Sequence, residues 1–128
     1  MGFQVVDSSG WLEYFADTDR ASLFAEAIED TENLLVPLIS IYEVFKKMLR
    51  ERGEAEALEA AAAMQSGQLI DMDLALLLDA AGNSLSLADS IIYATTVQYG
   101  ATLWTRGAHF KDLPSVRYFP KPVGDVQK

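Results

Sequence analysis

Three acidic residues stand where acids are unusual. Asp7 closes the short apolar, β-branched run Phe3 to Asp7. Glu43 lies one position from Tyr42 and two from Phe45, beside the apolar stripe of its segment. Asp89 follows Ala88 and precedes Ile92 by three residues, at the start of another apolar stretch. An acid near a core-facing position costs free energy unless its charge is compensated. Three such carboxylates in one crevice repel one another, and a divalent cation relieves that repulsion. Oxygen-only ligation suits Mg²⁺ or Mn²⁺ rather than zinc or copper. Each acid alone also has a plain structural role open to it. Asp7 can cap a helix, Glu43 can point to solvent, and Asp89 falls in a first helical turn, where the macrodipole favours negative charge. Residue type alone leaves both readings open.

The composition excludes several other chemistries. At 128 residues the chain suits one domain, spanning 1–128, with enough length to bury a core. Lys plus Arg number 10 against 19 Asp plus Glu, a net charge of −9. No broad basic face for nucleic acid is expected, so any such contact has to be local, helped by metal ions or a basic partner. The absence of cysteine rules out a disulfide scaffold, a thiol nucleophile and a Cys-ligated zinc site. His109, the one histidine, cannot build a multi-histidine site. No apolar run reaches the roughly 18 residues a membrane span needs. The start, MGFQVVDSSGW, lacks a basic region followed by an apolar one, so no signal peptide is expected and the predicted location is cytoplasmic.

Strands and helices alternate around these acids. Phe3 to Asp7 reads as a buried strand, with Ser8 and Ser9 as N-caps of a helix over Gly10 to Phe15. A helix over Arg20 to Glu29 follows, then a strand over Asn33 to Val36 closed by Pro37. Leu38, Ile41, Tyr42, Phe45, Met48 and Leu49 recur at helical spacing. Gly53 interrupts that helix, and Glu54 to Met64 completes a helical hairpin. Gln68 to Met72 suits a third strand, and Asp73 starts a helix ending near Gly82-Asn83. Ser86 or Leu87 opens the next helix, with Gly100 as its C-cap. Ala101 to Thr105 is a strand, Gly107 to Leu113 a loop or single turn, and Val116 to Phe119 an edge strand stopped by Pro120 and Pro122. The class is α/β with a mainly parallel sheet.

At Asp7, Glu43 and Asp89 the sequence resembles the PIN-domain family, in particular the small toxins of VapBC-type toxin–antitoxin pairs. The matching stretches are VVDSSGWLEYF, ISIYEVFKKM, and LSLADSIIYATTVQYGATLWT followed by HFKDLPSVRYF, in the family's order and at its intervals. The resemblance implies a three-layer α/β/α PIN-like fold, with about five short strands and an acidic pocket at their carboxyl ends. It implies a Mg²⁺- or Mn²⁺-dependent endoribonuclease in which Asp7, Glu43 and Asp89 bind metal. A metal-activated water would attack the phosphodiester in line. Thr105 matches the family's hydroxyl residue at the end of the fourth strand, and Ser9 its small polar residue after the first Asp. A VapB-like antitoxin, an RNA substrate and a homodimer are the implied partners.

One departure stands out. Where the family reads T-x-D-x-D-F, this chain reads Thr105-Arg106-Gly107-Ala108-His109-Phe110. Gly107 replaces the fourth carboxylate, and His109 stands where a second acid is common. His109 can serve as a weak ligand or proton donor, and Arg106 can neutralise the pocket or contact phosphate. Each is equally compatible with an ordinary loop residue. A PIN-like module that binds RNA or protein without catalysis is therefore the competing reading. The aromatic set Trp11, Tyr14, Phe15, Tyr42 and Phe45 has the spacing of packed helix faces and reads as core rather than an RNA-stacking platform. Lys46, Lys47, Arg50 and Arg52 form the sole basic cluster, open to RNA backbone, to an acidic partner segment, or to plain solvation. A receiver-like phosphoacceptor would need an acidic pair after the first strand, and a dehalogenase-type phosphatase would need D-x-D; Asp7-Ser8-Ser9 offers neither.

Overall fold

The computed structural model describes residues 2–120. Pro122, the second expected stop after the last strand, lies outside them. Five strands, β1 (Gln4–Val6), β2 (Leu34–Pro37), β3 (Gln68–Ile70), β4 (Thr102–Thr105) and β5 (Val116–Tyr118), form one sheet in the order β3-β2-β1-β4-β5. Every pairing is parallel. The helices are α1 (Ser8–Phe15), α2 (Ala21–Glu29), α3 (Leu38–Arg52), α4 (Glu54–Met64), α5 (Leu74–Ala81) and α6 (Leu87–Gln98), with a 3₁₀ turn at Ala108–Phe110.

Helices cover both faces of the sheet, because successive strand residues point to opposite sides. Val6, Leu34, Val36 and Trp104 pack with Trp11 of α1, Phe24 of α2, Val44 and Met48 of α3, and Ala57 and Ala60 of α4. Their neighbours Val5, Leu35 and Leu103 face the other way, onto Ile92 of α6 and Phe110. Helix α5 then packs on α6 through Leu76, Ala80, Ile91 and Ala94. The three layers are α/β/α, as the resemblance implies. No helix among the described residues is long and apolar enough to cross a membrane.

Several local expectations need correction. Ser8 and Ser9 are not the caps of α1; they are its first helical residues, and Asp7 is the N-cap, accepting from Gly10 N. Pro37 belongs to β2 rather than closing it, because the strand's last position needs no N–H donor. The buried face of α3 is Ser40, Val44 and Met48, whereas Tyr42 is 58% exposed and Leu49 is also exposed. Tyr42 stands two residues from both Ser40 and Val44, about 200° around the helix from that face. Tyr42 is thus no part of the core. Trp11 is buried, and Tyr14, Phe15 and Phe45 pack against the same cluster.

Two glycines are needed where they stand. Gly53 joins α3 to α4 at φ +94°, a conformation that an L side chain resists. At Gly10, helix α1 approaches so closely that a Cβ would lie 2.6 Å from Val6 Cγ1 and 2.8 Å from Phe24 Cδ1. That approach sets the height of α1 over β1. Gly10→Ala is therefore expected to overpack this contact and lower unfolding stability by about 1–3 kcal/mol in a urea titration. An unchanged midpoint would show that α1 can lift away freely.

Candidate active site at the carboxyl edge of the sheet

From β1 the chain moves in one direction to β2 and β3, then returns to place β4 on the other side. Open parallel sheets bind ligands where the strand order reverses in this way, at the carboxyl ends of the strands. Asp7 follows β1 directly, Thr105 ends β4, and Asp7 N donates to Trp104 O at 3.1 Å across the gap. The Asp7 side chain is only 4% exposed. Its Oδ1 accepts from Ser9 Oγ at 2.6 Å and from Gly10 N at 3.0 Å, and its Oδ2 accepts from Thr105 Oγ1 at 2.6 Å. The capping role and the crevice position thus fall on one residue.

Glu43 projects from α3 half-buried, and its Oε1 accepts from Ser8 Oγ at 2.5 Å. Asp89, in the first turn of α6, accepts from Ser86 Oγ at 3.0 Å, and its Oδ2 lies 2.8 Å from His109 Nε2. The three predicted acids share one electrostatic neighbourhood. Burial pushes the Asp7 carboxyl above the ordinary carboxylate range, outweighing its hydrogen bonds, and the charge of Asp89 pushes the same way. Burial also raises Glu43 against its bond from Ser8, with further contributions from Asp89 and Asp7. Among the described residues, no three His, Cys, Asp or Glu side chains stand in direct ligating geometry. Each of the three carboxylates instead holds a hydroxyl: Ser9 and Thr105 at Asp7, Ser8 at Glu43, Ser86 at Asp89.

The auxiliary residues divide. Ser9 donates to Asp7 and also accepts from Arg106 N at 3.2 Å, joining α1 to the turn after β4. Arg106 turns away from the acids and pairs through Nη1 with buried Glu13, which also accepts from Thr18 Oγ1 at 2.8 Å. It is neither a solvated loop residue nor a group aimed at the pocket. Beyond the cap role read for Ser8, the sequence does not mark Ser8 or Glu13 as part of the site. Ser8 was legible as the residue after the first acid, but Glu13 carries no signal, since its partner lies 93 positions away.

The family model for the PIN domain matches residues 5–116. The chain belongs to the PIN-domain family. No curated protein matches the sequence as a whole. Solved PIN-like structures resemble this fold at low identity. A toxin–antitoxin complex from Klebsiella pneumoniae superposes at TM-score 0.77 and 19% identity, over 92% of this chain and 99% of that one. A DNA-bound VapBC from Salmonella typhimurium gives 0.72 and 12%, over 94% and 98%. A sarcin–ricin-loop-cleaving VapC from Mycobacterium tuberculosis gives 0.64 and 16%, over 81% and 88%. At these identities the agreement concerns the fold.

Within this PIN domain the donor types suit a hard divalent cation: three carboxylates and a hydroxyl on β4, with two of those carboxylates, Asp7 and Glu43, raised in pKa chiefly by burial. Between the ordinary carboxylate range and the raised values, the folded chain holds protons that the unfolded chain releases. Stability without metal therefore falls as pH rises through that window. Urea midpoints in chelator from about pH 4 to about pH 8 should show this fall, and Asp7→Asn should flatten it and be the more stable protein at neutral pH. Parallel curves for the two proteins would mean that the Asp7 charge is not strained.

Proposed function

We propose that this PIN domain is a Mg²⁺- or Mn²⁺-dependent endoribonuclease, the toxin of a type II toxin–antitoxin pair. The observation that carries this reading is Asp7: a carboxylate buried at the strand-order reversal, its proton affinity raised by burial and by Asp89. Asp7, Glu43 and Asp89 would hold the cation. When bound, that cation supplies the Lewis acid that activates water and offsets charge on the scissile phosphodiester. Thr105 and Ser9 act on Asp7: their hydroxyls hold its two oxygens in fixed directions. His109, next to Asp89 and exposed to solvent, is available to exchange a proton near the leaving oxygen. The Glu13–Arg106 pair keeps the turn after Thr105 in place, leaving the pocket itself acidic.

Protein partners belong to the same reading. Leu74 and Leu78 of α5 and Leu87 of α6 are exposed, an apolar surface of the kind that a second copy of the chain or an antitoxin covers. The net charge of −9 draws a basic antitoxin tail toward the acidic crevice. The named neighbours from Klebsiella and Salmonella, both solved with antitoxins, support this assignment.

The non-catalytic reading rests on Gly107. Its φ of −82° and ψ of 119° are open to any residue, so the missing acid is not a backbone requirement. A Cβ there would lie 2.9 Å from His109 Cε1 and 3.3 Å from Thr105 Oγ1, beside the site. The exposed imidazole can swing aside, since among the described residues its side-chain partners are Asp89 and the ring of Phe110.

Thermal unfolding against Mn²⁺ and Mg²⁺, paired with cleavage of single-stranded RNA, tests the enzyme. Metal at about 100 times its Kd should add about 2.7 kcal/mol to wild type. Asp7→Asn should lose both that gain and the cleavage. Normal cleavage by Asp7→Asn would remove the site assignment, and a metal-indifferent wild type would favour the binding module. In a separate comparison, Gly107→Asp should bind metal about tenfold more tightly, read as a larger midpoint shift at equal metal. An identical shift would make position 107 irrelevant to the site.

A further inference from the structure

We propose that the groove beside α1 and α3 is a track for single-stranded RNA. In it, Lys46 and Arg50 receive backbone phosphates and Tyr42 stacks a base on the way to the acidic site. The proposal rests on the ribonuclease reading and specifies where its substrate lies. The groove, of about 260 Å³, is lined by Ser8, Tyr42, Glu43, Lys46, Lys47 and Arg50. Ser8 and Glu43, joined by their hydrogen bond, are both part of that lining, so the groove includes a carboxylate of the site.

Two cations without a carboxylate partner share this groove, whereas exposed Lys111, which also has none among the described residues, is a single cation next to Asp112 in the chain. Arg106 and Arg20 are both turned toward buried Glu13. Arg117 lies over the Trp104 ring, 4.3 Å from its centroid. Arg52 pairs with Glu56 at 3.8 Å, and Lys47 with Glu51 at 3.1 Å. The Lys47 pair is solvent-exposed and therefore weak, leaving that ammonium available. Lys46 and Arg50 have no carboxylate partner among the described residues. In a chain of net charge −9, cations left without an ion-pair partner beside an acidic pocket form a local counter-field.

Tyr42 supplies the second half of the argument. It is 58% exposed, makes no core contact, and begins a line on α3 that continues through Lys46 and Arg50 at four-residue steps. Residues four apart stack on one helix face, each about 6 Å further along the axis. Lys46 Nζ lies 5.6 Å from the Tyr42 ring centroid and 3.5 Å from its hydroxyl. An exposed aromatic ring flanked by cations in a groove is the arrangement by which proteins hold single strands: bases on the ring, phosphates on the charges. An acidic peptide would use the cations and leave the ring without a role.

The test uses Asp7→Asn protein, so that bound RNA is not cut, and a fluorescein-labelled single-stranded RNA of about 12 nucleotides. Anisotropy titrations from about 50 to about 200 mM salt give affinity and the salt slope. Lys46→Ala with Arg50→Ala should lower the slope by about 1.4, from about 0.7 per phosphate contact on a single strand. Tyr42→Ala should weaken binding about fivefold or more with little change in slope, and Tyr42→Phe should restore it, since stacking needs the ring and not the hydroxyl. Wild-type cleavage of the same RNA is measured alongside. Cleavage by wild type, with groove variants binding normally, overturns the track and leaves the ribonuclease reading intact. Groove-dependent binding without cleavage in Mg²⁺ or Mn²⁺ upholds the track and removes the ribonuclease reading. A poly-glutamate peptide that binds with the same dependence on Tyr42, Lys46 and Arg50 would make the groove a protein-docking face and overturn the proposal.

Discussion

The Asp7 carboxylate is where three parts of the chain meet. It ends β1, caps α1 through Gly10 N, and takes the hydroxyl of Thr105 from the end of β4, 98 residues away. A buried carboxylate accepting three hydrogen bonds is costly to desolvate, and its burial is tolerated because every lone-pair direction in use has a donor. The fold thereby concentrates unrelieved negative charge at the point where the strand order reverses. The rest of the site follows from this arrangement. Glu43 and Asp89 arrive on helices from the two faces of the sheet; the charge of Asp89 raises the Asp7 carboxyl further, and the charges of Asp89 and Asp7 raise Glu43.

A second tie runs parallel to the first. Arg106, one residue beyond Thr105, reaches buried Glu13 on α1, while its backbone N–H meets Ser9 Oγ. The same helix is thus joined to the turn after β4 at two levels, one inside the acidic crevice and one outside it. Breaking the pair by removing Glu13 is the costlier change, because both Arg106 and Arg20 would lose their carboxylate. The consequence of the pair is a division of charge: the arginine nearest the pocket is already neutralised, and the pocket stays negative. Positive charge is displaced to the outer line of α3, where it faces solvent beside Glu43.

Much of this was legible in the chain. The alternation of short β-branched runs with amphipathic stretches marked the strands and helices to within a few residues. The order of Asp7, Glu43 and Asp89 marked the family. The differences lie in helix arcs, in a cap and in the end of β2. Apolar and aromatic residues at three- and four-residue spacing indicate a helix, but they do not say which arc of it meets the sheet. Tyr42 therefore read as core until the partners of α3 were known, and Ser40, which is polar, occupies the buried arc instead. Likewise Ser8 and Ser9 are good caps by type, yet the cap went to Asp7, whose extended backbone leaves β1 at the angle α1 requires.

The α/β class, the family and the candidacy of Asp7, Glu43 and Asp89 were legible in the amino-acid sequence. Each of these is carried by local residue type or by order along the chain. Only the tertiary structure decided which groups meet: Thr105 with Asp7, Ser8 with Glu43, His109 with Asp89, and Arg106 with Glu13. It also decided that Tyr42, Lys46 and Arg50 share an open groove with Glu43. The physical reason is range. Helical and strand periodicity act over a few residues, whereas burial, charge coupling and the direction of a side chain depend on segments brought together by parallel crossovers, most of them close to thirty residues long.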